Sequence, residues 1–388
     1  MGPLIVIPSY NSAYTIAYVV YQAARGLEEY FGGGGRILVS DGGSRDGTLE
    51  VVEAVKKGLG VEVEARRYSG PPGKGSAVLY GFRRAVEEGY SAVIMLDSDL
   101  RSVEPYWIGL LGRASSDYGL VAPLYVRHKH DGTITKTLAY PVVAGLLGAP
   151  VRQPIGGDFG VSARLAGAVL ERAESFAPAA YRFGIDFLIT STAIAERLRI
   201  AQADLGSKIH APKDPAKHLK GMFLDVAETV IRAVHSYYRP GAGGTGIDTL
   251  KTGDTWKCPQ PVRVDVKAGI ARFLEELGKN RDTLERVFGD VSWIEKAAER
   301  LRRGEEGAFS NEEWARAVIE AVAAYPVAGE AAVEALYVAW LGKVASYIID
   351  TTPLDEEGAE EYVYGIVEAF SAQRGLLDEA LEGRLPLS

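Results

Sequence analysis

Three short apolar runs, at residues 4–7, 36–40 and 92–96, and an alternating one at 61–67 are separated by helix-length stretches along the N-terminal part of the chain. Parallel strands can be joined only through long crossovers, so this rhythm predicts a mostly parallel sheet with helices on both faces. In such sheets ligands bind beyond the carboxyl ends of the strands. Three polar loops fall at those ends: Pro8-Ser9-Tyr10-Asn11-Ser12, then the turn from Asp41 to Thr48, then Asp97-Ser98-Asp99. A fourth loop, Gly73-Lys74-Gly75, opens the helix after the third strand and reaches the same edge if it folds over the sheet.

Asp97-Ser98-Asp99 follows Ala92-Val93-Ile94-Met95-Leu96, which reads as a buried strand. Two carboxylates so placed are costly unless a cation or donors satisfy them. Their hard oxygens suit Mg²⁺ or Mn²⁺, which bind through one or two carboxylates together with substrate phosphates. Asp41 is placed to accept from a base N–H, and Tyr10 to stack on the base. The glycines around Lys74 allow the backbone close to a ligand, and the lysine brings positive charge. The loop has neither the length nor the following Ser or Thr of a Walker motif.

Past Asp99 the alternation loosens. Residues 120–126 read as a strand, 135–147 as a helix, 200–205 as a last strand, and 214–238 as a helix closing this half. Residues 239–262 are rich in Gly, Pro and Thr and read as a linker. Beyond them the apolar residues recur at helical spacing, as in Ala332, Leu336, Trp340, Val344 and Ile348. The expected organisation is a nucleotide-sugar domain over 1–238, a linker over 239–262 and a helical domain over 263–388, which covers an acceptor or serves as a homodimer interface.

A net charge of −8 and the lack of a long basic run argue against nucleic acid or an anionic membrane as partner. The one cysteine, Cys258, excludes an internal disulfide and any cysteine-rich metal site, as expected of a cytoplasmic protein. The N-terminus enters a strand at once and lacks the order of a signal peptide. Apolar stretches such as residues 142–147 are too short to span a bilayer. Scarce Asn with abundant Glu and Arg is a composition expected of a thermophile.

The order Pro-Ser-Tyr-Asn, Asp-Gly-Gly-Ser-Arg-Asp-Gly-Thr, Gly-Lys-Gly and Asp-Ser-Asp resembles the nucleotide-binding half of family-2-type glycosyltransferases of the GT-A fold. Gln153-Pro154-Ile155-Gly156-Gly157-Asp158, Gly184-Ile185-Asp186 and Lys208-Ile209-His210 resemble, more narrowly, the retaining synthases of glucosyl-3-phosphoglycerate and mannosylglycerate. The resemblance covers roughly residues 3–240. It implies an α/β GT-A domain, Rossmann-like with a mostly parallel sheet, followed by an all-helical C-terminal domain.

It also implies roles. Asp99 and His210 correspond to metal ligands, with Asp97 near the ribose and the metal's waters. Pro8, Tyr10, Asn11, Asp41, Gly73 and Lys74 correspond to nucleotide contacts, and Asp186 to the carboxylate that holds the donor sugar. The carbonyl of Ile155 corresponds to one beside the anomeric carbon. Asp158 stands where the family has Glu. Arg127 and Thr135 match positions that hold the acceptor carboxylate, and Lys129, Lys136 and Lys213 are further cations within reach in sequence. The implied reaction is metal-dependent, retaining transfer of glucose or mannose from UDP-glucose or GDP-mannose to glycerate or 3-phosphoglycerate. Two rivals are an inverting enzyme with Asp186 as general base, acting on a polymer or lipid-linked acceptor, and a non-catalytic nucleotide-sugar-binding protein.

Overall fold

The computed structural model describes all residues except 1, 116, 211–214, 242–245, 254, 256 and 384–388, and leaves the side chains of 215–218 undescribed. Two compact units emerge. The first comprises residues 1–127, 151–218 and 246–260, the second 128–150, 219–245 and 261–388.

The first unit is built on an eight-stranded sheet in the order β3-β2-β1-β4-β6-β5-β7-β8. Its strands are β1 (Leu4–Ser9), β2 (Arg36–Asp41), β3 (Glu62–Arg67), β4 (Ala92–Met95), β5 (Leu120–Val126), β6 (Gly160–Ser162), β7 (Ile200–Ser207) and β8 (Asp248–Leu250). All neighbours pair in parallel except β6, which runs antiparallel between β4 and β5. This is the mostly parallel, Rossmann-like sheet that the alternation predicts. Two strands escape the sequence reading. β6 is three residues long and opens on a glycine, and β8 lies within the Gly/Pro-rich stretch read as a linker.

The intervening helices are α1 (Ile16–Phe31), α2 (Thr48–Val55), α3 (Lys74–Glu88), α4 (Pro105–Leu111), α5 (Ala163–Ala173) and α6 (Ile185–Ala195). Side chains alternate across a strand. Ile5, Ile7, Ile37, Val39, Ile94 and Leu96 join one core with Val19, Val20, Ala23 and Leu27 of α1, Val52 of α2 and Trp107 and Ile108 of α4. The intervening Val6 faces α3, where a Cβ at Gly81 would lie 2.5 Å from it. Central strands buried on both faces explain why their sequences are continuously apolar.

The helix α7 (Pro215–Tyr237) follows, and then α8 (Val266–Lys279), α9 (Arg281–Phe288), α10 (Ser292–Arg302), α11 (Asn311–Ala328), α12 (Glu330–Thr351), α13 (Glu356–Ala372) and α14 (Arg374–Leu381). The C-terminal part is thus helical, as its apolar spacing predicts. The helix read over 135–147 is wound with π-type turns over Thr135–Ala139 and Val142–Leu146. It belongs to the second unit, where Trp314 Nε1 donates to the Thr137 carbonyl at 2.5 Å and Trp340 Nε1 to its hydroxyl at 2.9 Å.

The apolar stripe from Ala332 to Ile348 lies on α12, which is long and apolar enough to cross a membrane. It is instead a core helix: Leu336, Tyr337, Trp340 and Tyr347 are fully or almost fully buried. Midway along it, buried Lys343 donates to the Phe309 carbonyl at 3.1 Å, Asn311 Oδ1 at 2.6 Å and the Tyr362 hydroxyl at 3.2 Å. Burial pulls the Lys343 ammonium down to about 7, against the attraction of Asp350.

Candidate active site

The parallel register brings the loops after β1, β2 and β4 to one edge. Ser9 pairs with Asp41, and Val6 with Met95, two residues before Asp97. The first two loops are then stitched together. Asn11 N–H donates to Ser44 Oγ at 2.8 Å, Arg45 N–H to Asn11 Oδ1 at 3.0 Å, and Ser12 N–H to Thr48 Oγ1 at 2.9 Å. Asn11 takes φ of 52°, which its short amide tolerates. The third loop joins through Ser12 Oγ and Ser98 Oγ at 2.8 Å and through Thr15 Oγ1, which donates to the Ser98 carbonyl at 2.7 Å.

Asp41 is completely buried, and its carboxylate organises the second loop, accepting from the Gly43 and Ser44 N–H groups and the Ser44 hydroxyl at 2.8, 2.9 and 2.5 Å. Pro8 lies within β1, and Tyr10 is 66% exposed. Gly73 sits at φ of 151°, where a Cβ would lie 2.3 Å from the Tyr181 carbonyl, so only glycine fits.

The centre is a chain of opposite charges. Lys74 Nζ lies 2.9 Å from Asp97 Oδ1 and 2.9 Å from Asp186 Oδ2. Lys208 Nζ lies 2.8 Å from Asp97 Oδ2, 2.9 Å from Asp158 Oδ2 and 2.8 Å from the Gly156 carbonyl. Burial alone would pull both ammonium groups down, but the flanking carboxylates hold them above the ordinary lysine value. Burial pushes the Asp158 and Asp186 carboxyls up. Asp158 nonetheless collects donors, from Lys208, the Tyr125 hydroxyl and the Asp97 N–H at 2.7 Å, and only the ionised form satisfies them all.

Asp186 opens α6, where its charge meets the helix N-terminus. One of its oxygens is held by Lys74; the other, Oδ1, is buried and accepts from no described residue. A buried acceptor without a donor is costly, so a hydroxyl-bearing ligand has a place here. The turn at 153–158 presents a second open acceptor. The Gln153, Pro154 and Gly156 carbonyls accept from Gly156 N–H, Thr190 Oγ1 and Lys208 Nζ at 3.1, 2.7 and 2.8 Å, whereas that of Ile155 accepts from no described residue. Gly157 lies directly against Asp97: a Cβ there would fall 2.4 Å from Asp97 Oδ2.

The backbone pairs the residue after Asp99 with His210. Leu100 and His210 form an antiparallel bridge, and Arg101 N–H donates to the Ile209 carbonyl at 2.8 Å. Among the described residues no three His, Cys, Asp or Glu side chains gather into a cation cage. A carboxylate and an imidazole, completed by phosphate oxygens and water, nonetheless form a donor set that Mg²⁺ or Mn²⁺ accepts.

The residues expected at the acceptor are divided. Arg127 follows β5 in the first unit, Thr135 is buried in the second, and Lys213 lies outside the described residues. Lys136 is buried and Lys129 half-buried, and both are taken up by backbone carbonyls. Lys129 Nζ donates to the Thr352 carbonyl at 3.0 Å and to that of Leu354, and Lys136 Nζ to the His128 and Lys129 carbonyls, each at 2.8 Å. Sequence reasoning noticed Lys208 only within Lys208-Ile209-His210, gave it no role of its own, and missed Tyr125. The signal for Lys208 was its place directly after a strand buried along its whole length.

Residues 4–157 match the model of the family described as glycosyl transferase family 2. Among curated proteins none matches. Among solved structures, the chain is similar to glucosyl-3-phosphoglycerate synthase from Mycobacterium tuberculosis in complex with Mg²⁺ and uridine-diphosphate, at 25% identity and a TM-score of 0.48, over 62% of this chain and 82% of that one. Similarity to mannosyl-3-phosphoglycerate synthase from Rubrobacter xylanophilus is 23% identity with a TM-score of 0.47, over 62% and 78% of the two chains. For S. aureus TarS the values are 16% and 0.36, over 61% and 43%.

Proposed function

We propose that this chain is a metal-dependent, retaining glycosyltransferase that moves glucose or mannose from a nucleoside diphosphate sugar to glycerate or 3-phosphoglycerate. The observation that carries the reading is the bridge of Lys74 between Asp97 and Asp186. It joins the nucleotide-side loops to a buried carboxylate whose second oxygen awaits a donor. The family match over residues 4–157 supports the donor class. The acceptor class and the retention of configuration rest on the resemblance of the 153–158 turn and of Lys208-x-His210. A reducing cytoplasm suits the single, exposed Cys258.

In this reading Tyr10 stacks on the base, and Asp41, expected in sequence to accept a base N–H, instead fixes the turn beside it, since it is buried and taken up by Gly43 and Ser44. Asp99 and His210 would hold the cation, which when bound supplies positive charge for the departing diphosphate. Lys74 adds charge of its own. Asp186 Oδ1 accepts a hydroxyl of the transferred hexose, and the open Ile155 carbonyl faces the anomeric carbon. The acceptor oxygen bonds to that carbon as its bond to the diphosphate breaks on the same face, and the departing phosphate oxygen takes the acceptor's proton. The protein works by positioning and electrostatics.

The test is a matrix of UDP-glucose and GDP-mannose against glycerate and 3-phosphoglycerate, with and without Mg²⁺ or Mn²⁺, with the product anomer read by NMR. An α-linked product from an α-linked donor is expected. A β-linked product would establish the inverting rival, and donor binding without turnover on any acceptor would establish the binding protein.

A further inference from the structure

We propose that Lys208 is a positioning residue for this transfer, holding the 153–158 turn against Asp97 so that the Ile155 carbonyl is presented between two fixed neighbours. The inference rests on the function proposed above. An ammonium group has three protons to donate. Those of Lys208 go to Asp97 Oδ2, Asp158 Oδ2 and the Gly156 carbonyl at 2.8, 2.9 and 2.8 Å, and the residue is 6% exposed. A lysine so engaged is a tie, not a point charge held ready for a phosphate.

What it ties is specific. Asp97 ends the run from β4, and its own N–H already donates to Asp158 Oδ1 at 2.7 Å. Lys208 adds the side-chain half of that link and clamps the carbonyl next to that of Ile155. On the other side Thr190 Oγ1, on α6, holds the Pro154 carbonyl at 2.7 Å. Gly157 permits the approach, since any Cβ there would strike Asp97. The planar fork of an arginine does not reproduce three convergent bonds from one nitrogen.

The experiment compares the wild type with Lys208→Met and with the double variant Lys208→Met/Asp158→Asn. The second substitution lowers the buried negative charge so that the chain still folds. Three readouts are taken: kcat and KM for transfer, the Kd of UDP or GDP alone by calorimetry, and amide exchange of the peptide spanning 153–158. The double variant is expected to bind the nucleotide within about threefold of wild type. Its kcat should fall about 100-fold, as for a small misplacement of reacting groups, and exchange at Gly156 and Gly157 should quicken about tenfold. Wild-type kcat with unchanged exchange would reduce Lys208 to a charge balance. Loss of nucleotide affinity with kcat intact would make it a donor contact instead. If the wild type itself transfers nothing, the proposed function fails, and unchanged exchange in the double variant would still overturn the role of Lys208.

Discussion

Replacing Asp158 with alanine separates an anchor from a reacting group. The carboxylate is fully buried and its partners are all protein: the Asp97 N–H, the Tyr125 hydroxyl and Lys208. Alanine leaves the first two donors without acceptors, while Lys208 keeps Asp97 and the Gly156 carbonyl. Each orphaned buried donor costs about 1–3 kcal/mol. The two donors together cost about 2–6 kcal/mol, which brackets the roughly 3–5 kcal/mol found when one partner of a buried pair is removed, and the narrower range sets the expected loss. In a domain of roughly 150–250 residues, 1 kcal/mol moves Tm by about 2–4 °C, so a loss of about 6–20 °C is expected. Asp158→Asn, which keeps an oxygen for the Asp97 N–H, should lose about half as much. Calorimetry and urea unfolding provide the assay, with turnover measured at a temperature where both variants are folded. A variant that melts within about 1 kcal/mol of wild type yet has lost its turnover would refute the reasoning, because Asp158 would then act on substrate rather than on Asp97, Tyr125 and Lys208.

The cation site predicts that Asp99→Ala and His210→Ala each abolish metal-stimulated turnover; full activity in His210→Ala, measured across Mg²⁺ and Mn²⁺ concentrations, would remove that residue from the site. Tyr10→Ala should weaken nucleotide binding by about 1–2 kcal/mol, roughly tenfold in Kd by calorimetry, since the base loses its stacking partner while the exposed ring supports little else in the fold. Gly157→Ala should cost both stability and turnover, because φ is 90° and the new Cβ would press on the Asp97 carboxylate; an active crystal structure with Asp97 unmoved would contradict this. His130 gives a pH prediction for the second unit. Thr351 gives its proton to the Tyr347 carbonyl at 2.6 Å, so the contact with His130 Nε2 at 3.2 Å is donated by the ring, which is neutral. Burial, with His128, Lys129 and Lys136 nearby, pulls its pKa from 6.5 down to about 4. A depressed histidine stabilises fully above the unfolded value and loses that contribution as pH falls from about 6.5 to about 4. About 1–2 kcal/mol of stability is expected to ride on this titration, which urea titrations of wild type and His130→Gln at pH 7 and pH 4.5 should show as a smaller acid loss in the variant.

How much of this was legible depended on whether a feature is local. β1, β2 and β4 announce themselves because strands buried on both faces are unbroken apolar runs, and their terminal loops were found for the same reason. β6 was not visible, because three residues beginning with Gly160 have no period, and their pairing with β4 and β5 is set by partners far away in sequence. β8 was hidden inside a composition typical of a linker, since parallel pairing with β7 asks little of Asp248, Thr249 and Leu250 beyond extended backbone.

The site shows the same division. Asp97 and Asp99 could be singled out as carboxylates needing compensation, and a metal was the evident source of charge. The structure adds that Asp97 is compensated within the chain, with Lys74 on one oxygen and Lys208 on the other. Nothing near Asp97 in sequence signals this: the lysines open α3 and follow β7, and only the closure of the sheet brings them together. The pair of aspartates is therefore unequal for a physical reason. Asp97 is already held between two ammonium groups, and in the proposed function the cation falls to Asp99, whose neighbour Leu100 bridges His210. A cation that instead required Asp97 would have to displace Lys74 or Lys208, so Lys74→Ala should then strengthen metal binding in the absence of nucleotide. On the present assignment that affinity, measured by Mn²⁺ electron paramagnetic resonance, stays within about threefold of wild type, the small gain expected from losing one nearby positive charge.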